Sequence, residues 1–247
     1  RVSGGGGGQE FIMEHSGITG VDTNCQECEN KRRPLRRQAA ARIVFGSRAP
    51  LYGKGGFSMS IIPSLLEFNQ KFVEEKRYEA YLTDKYPEKK VAILTCMDTR
   101  LIELLPKALG LKNGDAKFIK NAGAILTQPF GSAMRSILVA VYELGAREVI
   151  VIGHHGCGMT EIDPDRMVRK FIENGIDPLA IKTLENAGIR MDKFLRGFDR
   201  AEEGVMHSVR MIRRHPLFPQ AVPVHGCVMD PETGKLDVIV EDYREEA

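Results

Sequence analysis

Two unbroken apolar runs, Val91-Ala92-Ile93-Leu94 and Val149-Ile150-Val151-Ile152, constrain this chain more than any other feature. Each has the length and β-branched character of a buried strand. Each also ends abruptly in polar chemistry. The first runs into Thr95-Cys96-Met97-Asp98-Thr99-Arg100, the second into Gly153-His154-His155-Gly156-Cys157-Gly158. Residues two apart on extended backbone point the same way, so Cys96 and Asp98 can face one point.

The chain around these runs alternates between strand and helix patterns. Strands are expected at about 90–95, 116–120, 148–152, 222–228 and 236–240. A helix is expected from Ile102 to Leu109, another after Pro129 with Met134, Ile137, Leu138, Val141 and Leu144 as its buried stripe. A charged helical section covers about 164–214, with breaks at Ala187-Gly188 and Gly197. Such alternation predicts an α/β fold: a mainly parallel sheet of four strands with right-handed crossovers and helices on both faces. The fifth strand follows the short turn Asp230 to Lys235, so it should pair antiparallel with the fourth as an edge strand. Before the first strand, apolar positions from Ile61 to Leu82 recur at largely helical spacing, interrupted by Glu74-Glu75-Lys76-Arg77. This N-terminal helical arm has no strand of its own and suits packing on another subunit.

Residues 1–58 read differently. They hold 11 of the 25 glycines, a basic run from Lys31 to Arg37, and no sustained apolar period. They are expected to be a disordered or tag-like extension, with the folded domain covering 59–247. Cys25-Gln26-Glu27-Cys28 looks like half a zinc knuckle but has no second pair nearby. Charge follows the same division. Residues 1–58 carry nine Lys/Arg against five Asp/Glu, and 59–247 carry 26 against 28. A nearly neutral domain argues against a large nucleic-acid footprint. Five cysteines, an odd number, and the lack of any apolar run near 20 residues predict no membrane span and a reducing, cytoplasmic setting.

In an open parallel sheet, sites form beyond the carboxyl ends of strands where the strand order reverses. If strands one and three are neighbours, with strand two on the far side of strand one, both polar clusters face one crevice. Cys96, His154 and Cys157 are then a ligand set that Zn2+ accepts, and His154-x-x-Cys157 has a spacing that converges on one ion. His155, only two before Cys157, should point elsewhere. The bland alternative makes Cys96 and Cys157 ordinary buried thiols and His154 a satisfied loop histidine; the pairing of two clusters at two strand ends speaks against it. Three protein ligands leave a fourth place for water or Asp98, and Arg100 can hold Asp98 back through a bidentate pair. His225 and Cys227 are expected to pack within or beside the sheet.

Cys96-x-Asp98-x-Arg100, then Asn121-Ala122-Gly123, then His154-x-x-Cys157-Gly158, resembles the β-class carbonic anhydrases, most of all their short bacterial branch. The similarity runs from about Ser60 to Val240. It implies that Cys96, His154 and Cys157 bind zinc and that Asp98 and Arg100 form the catalytic dyad. The backbone of Gly158 would help hold bicarbonate, and Gly123 would let backbone approach the site as a second substrate-side position. The implied reaction is reversible hydration of carbon dioxide to bicarbonate through zinc-bound hydroxide, in a homodimer or a multiple of dimers whose N-terminal helices wrap the partner. There are departures. Tyr86 to Lys90 offers no amide where the plant-type branch has a glutamine, Thr99 replaces a serine or alanine, and Gly156 is a bare position. Two further functions compete: hydrolysis of carbonyl sulfide or carbon disulfide on the same site, and a non-catalytic zinc protein in which Asp98 closes the site.

Overall fold

The computed structural model describes residues 60–242. The glycine-rich and basic stretches and Cys25-x-x-Cys28 lie outside them, as does the expected extension over 1–58. Within the described residues five strands form one sheet in the order β2-β1-β3-β4-β5. They are β1 (Val91–Cys96), β2 (Ala116–Asn121), β3 (Glu148–His154), β4 (Val224–Met229) and β5 (Leu236–Val240). β1 pairs parallel with both β2 and β3, β3 pairs parallel with β4, and β5 is antiparallel to β4. The expected mainly parallel sheet with an antiparallel edge is therefore present, and the order reverses between β1 and β3.

Among the described residues seven α-helices accompany the sheet: α1 (Ile62–Glu74), α2 (Leu101–Ala108), α3 (Ser132–Tyr142), α4 (Pro164–Glu173), α5 (Pro178–Asn186), α6 (Met191–Phe194) and α7 (Ala201–Arg213). Every residue of β1 is buried, because alternate side chains enter two separate apolar layers. Ala92 and Leu94 join Met134 and Ile137 of α3 and Val205, Val209 and Ile212 of α7. Val91 and Ile93 join Leu101 and Leu105 of α2 on the other side, with Ile152 and Met229. Phe198, in the segment leading into α7, packs against both layers. The buried stripe of α3 is Met134, Ile137 and Ala140, while Leu138, Val141 and Leu144 are only partly covered.

Two boundaries differ from the sequence expectation in a way that matters. β3 continues through Gly153 and His154, which pair with Val228 and Met229. A glycine and a histidine are poor strand signals, but β4 offers a ladder there and tertiary pairing prevails. The arm is also not one helix. α1 ends at Glu74, Lys76 adopts a left-handed conformation (φ 56°), and a separate 3-10 turn spans Arg77–Tyr81. The break falls on the charged cluster. No residue of α1 is buried: Ile62, Leu65, Leu66 and Phe68 are all more than half exposed.

Candidate metal centre

Cys96 and His154 are the last residues of β1 and β3, the two neighbours between which the sheet order reverses. Backbone pairing holds both: Cys96 lies opposite Asn121, and His154 opposite Met229. Cys157 follows three residues later, after a turn in which Gly156 takes φ 60°, a left-handed conformation that favours glycine. The two sulfurs are 3.9 Å apart. The ligand atoms of Cys96, His154 and Cys157 all lie within 4.8 Å of one another, and all three residues are buried. No other such cluster occurs among the described residues. Strand ends thus bring together the three predicted metal ligands.

The donor set fits zinc. Two thiolates bound to one tetrahedral zinc at about 2.3 Å stand about 3.8 Å apart, close to the separation found. His154 Nδ1 lies 2.9 Å from the carbonyl of His155. A carbonyl only accepts, so Nδ1 carries the hydrogen and Nε2 presents a lone pair. Nε2 is buried with no hydrogen-bond partner, an orphaned atom whose missing neighbour a cation would supply. The thiols divide in the same sense. The Cys157 S–H bond pulls the Cys96 pKa well down against the cost of burial, helped by His154 and the Gly123 N–H. The hydrogen bond to Cys96, with burial and then the Cys96 charge behind it, pushes Cys157 up. For His154, burial works against protonation, but the nearby Cys96 sulfur, the His155 carbonyl and Asp98 outweigh it and raise its pKa. Zn2+ placed here stabilises both thiolates at once.

Asp98 stands beside the cluster and is not one of its three members. Its Oδ1 accepts from Arg100 N at 2.9 Å and Arg100 Nε at 3.0 Å, and its Oδ2 accepts from Arg100 Nη2 at 2.9 Å. Arg100 Nη2 also donates to the Gly156 carbonyl at 3.0 Å, tying the first polar cluster to the second. The Arg100 bonds draw the Asp98 carboxyl down to about 2, overcoming partial burial. Its free side faces the ligands, with Oδ2 3.7 Å from His154 Nε2.

Gly123 takes φ 81° and donates its N–H to Cys96 Sγ at 3.3 Å. Nothing lies within 4 Å of where a side chain on Gly158 would begin, so the space beside its backbone is open. His155 is exposed and lies outside the cluster, and its backbone N–H pairs with the Met229 carbonyl. His225 bonds Glu148 and the Asp242 N–H, while Cys227 is buried in the sheet and raised to about 11 by burial and Glu241. Neither belongs to the cluster. Sequence reasoning missed the Gly156 carbonyl as a partner for Arg100, because a bare glycine advertises no backbone contact. It also missed Phe198 and Ser208, which pack and bond behind Gly123 and carry no motif.

The sequence profile described as carbonic anhydrase matches residues 91–236. The putative carbonic anhydrase YvdA of Bacillus subtilis (strain 168) is 56% identical over 188 residues, covering 76% of this chain and 95% of that protein. A carbon disulfide hydrolase of Acidianus sp. (strain A1-3) is 30% identical over 179 residues, covering 66% of this chain and 85% of that one. Among solved structures, β-carbonic anhydrase isoform I of Trichomonas vaginalis is 34% identical with a TM-score of 0.68, covering 75% of this chain and all of that one.

Proposed function

The chain belongs to the β-class carbonic anhydrases, and on that premise we propose that it interconverts carbon dioxide and bicarbonate with Asp98 and Arg100 as its catalytic pair. The observation that carries this reading is a carboxylate locked by three Arg100 bonds at the edge of a Cys-His-Cys cluster. Zinc held by Cys96, His154 and Cys157 supplies a Lewis acid that makes a water easier to deprotonate, less strongly with two thiolates than with three imidazoles. Asp98, ionised throughout the neutral range, accepts a hydrogen bond from the reacting water and directs its lone pair at the carbon. Arg100 engages both Asp98 oxygens and so restrains the carboxylate, whose Oδ2 stays 3.7 Å from His154 Nε2, and it bonds the Gly156 carbonyl in the turn that leads to Cys157. The open backbone at Gly158 offers its N–H to a bicarbonate oxygen. Gly123 has spent its N–H on Cys96, so its part is the close backbone approach that a side chain would prevent.

Two other readings are weaker. Hydrolysis of carbon disulfide draws on the 30% identical relative, against 56% for the putative carbonic anhydrase. A site closed by Asp98 has no use for the restraint Arg100 imposes. Stopped-flow hydration of carbon dioxide from pH 6.5 to 9.5, on wild type and Asp98→Ala, tests the proposal. Activity should rise with pH in the wild type and fall by about 100-fold or more in the variant, with zinc content unchanged. A zinc-loaded wild type inactive across that range would overturn it, and turnover of carbon disulfide in its place would install the hydrolase reading.

We further infer a homodimer or a multiple of dimers. The support is the arm, where Ile62, Leu65, Leu66 and Phe68 are more than half exposed among the described residues. No helix of the described residues is long and apolar enough to cross a membrane. A site of two thiolates suits the reducing, cytoplasmic setting we assign.

A further inference from the structure

The turn that follows β2 is strained, and besides the Asn121 Nδ2 bond to the Ile125 carbonyl its restraints come from elsewhere in the chain. Gly123 and the buried Ala124 are consecutive residues in the left-handed region, at φ 81° and 55°. A residue with a side chain stays there only when its surroundings impose it. Ser208 of α7 has no exposed surface, and it imposes part of the conformation. Its hydroxyl donates to the Ala124 carbonyl at 3.1 Å and accepts the Leu126 N–H at 3.1 Å. Phe198, beside Met159, packs against the turn at Gly123. A Cβ on Gly123 would come within 2.8 Å of Phe198 Cε1 and 2.9 Å of Met159 Cγ, and one on Gly204 within 2.8 Å of Phe198 Cδ1. The ring therefore fills the gap between the α7 backbone and the turn. Gly197 beside it meets the Met159 carbonyl so closely that any Cβ would overlap it, which pins Phe198 to the residues after Cys157.

We propose that Phe198 and Ser208 are positioning residues of the metal centre, holding the Gly123–Ala124 turn so that the Gly123 N–H donates to Cys96 Sγ. The inference rests on the reading of Cys96 as a metal ligand. An N–H aimed at a ligand sulfur fixes its orientation and withdraws electron density from it, as outer partners of metal ligands do. Neither residue touches substrate or metal; both act through Gly123.

Cobalt(II) in place of zinc makes this measurable, since a thiolate bound to cobalt gives a charge-transfer absorption whose energy reports the electron density on sulfur. Ser208→Ala and Phe198→Ala should each move that band to longer wavelength. Each should also weaken zinc retention against a competing chelator by about tenfold. Phe198→Leu keeps apolar bulk against Gly123 and should recover most of both effects. An unchanged band and unchanged retention in the alanine variants, even with a lowered melting temperature, would reduce both residues to packing and overturn the proposal. Should Phe198→Ala fail to fold, Ser208→Ala, which deletes one atom, decides by the same two readouts. A wild type that binds cobalt without any thiolate band would overturn the ligand reading itself, an outcome distinct from an unchanged band in the variants.

Discussion

Leu94 and Leu65 are the same residue in opposite circumstances. Leu94 has no exposed surface and sits two residues before the ligand Cys96, whereas Leu65 in α1 is 53% exposed. Around Leu94 both faces of the strand are covered, and the chain ends its apolar run on side chains that other elements hold in place. Around Leu65 an equally regular apolar stripe stays largely exposed among the described residues. The contrast separates two uses of hydrophobic patterning. At the strand ends, burial within one chain fixes the position of buried ligands to the precision a metal needs. In the arm the same pattern leaves apolar side chains exposed, the surface on which the proposed homodimer rests.

The sharpest way to break the comparison is at the strand ends. Cys157→Ser should abolish stoichiometric zinc and activity together, a larger loss than the 10–100-fold that outer partners of a ligand cost. Metal analysis of the purified variant reads it, and full occupancy would mean the cluster is not the site. Arg100→Leu should cost about 100-fold in hydration rate by freeing Asp98, and its loss of the Gly156 carbonyl bond should weaken zinc retention far less than Cys157→Ser does. It also has a pH signature. A carboxyl drawn down to about 2 in the folded state stabilises that state above its unfolded value near 4, and the benefit is lost as pH falls through 2. In metal-free protein the stability gap between wild type and Arg100→Leu should be full at pH 5 and shrink toward pH 2. Chemical unfolding at both pH values measures that gap, and one independent of pH would assign Arg100 a role other than holding Asp98.

The arm offers the complementary test. Replacing Leu65 and Leu66 by glutamate should raise the subunit dissociation constant by at least about 100-fold, because each leucine buried at an interface contributes on the order of 2 kcal/mol. Sedimentation would show the mass halve, and an unchanged mass would mean the exposed stripe serves something other than assembly. The smallest effect belongs to His155→Ala. The side chain is exposed, and only its backbone carbonyl serves His154, so zinc content and hydration should stay within about twofold. A larger loss would bring His155 into the site.

Much of this was legible in residue order. The continuous runs at 91–94 and 149–152 announced strands covered on both faces, and the polar residues that follow them marked where a site belongs. Alternation with helices then gave the parallel sheet, and the short turn at 230–235 the antiparallel edge. Legibility ended where partners decide conformation. Gly153 and His154 count as strand only because β4 pairs with them. Lys76 breaks the arm at a charged cluster that a helical pattern alone tolerates.

By itself the sequence determined which residues could ligate a metal, which strand ends carry them, and which carboxylate and guanidinium stand alongside. These follow from local rules, since spacing along extended backbone and the chemistry of thiol, imidazole and carboxylate do not depend on distant contacts. Only the tertiary structure decided that the sulfurs stand 3.9 Å apart, that His154 keeps Nε2 free of any other bond, and that Arg100 reaches the Gly156 carbonyl. It alone brought Phe198 and Ser208 behind Gly123. Those facts depend on backbone atoms and on residues up to 84 positions apart, and neither leaves a pattern in the order of side chains.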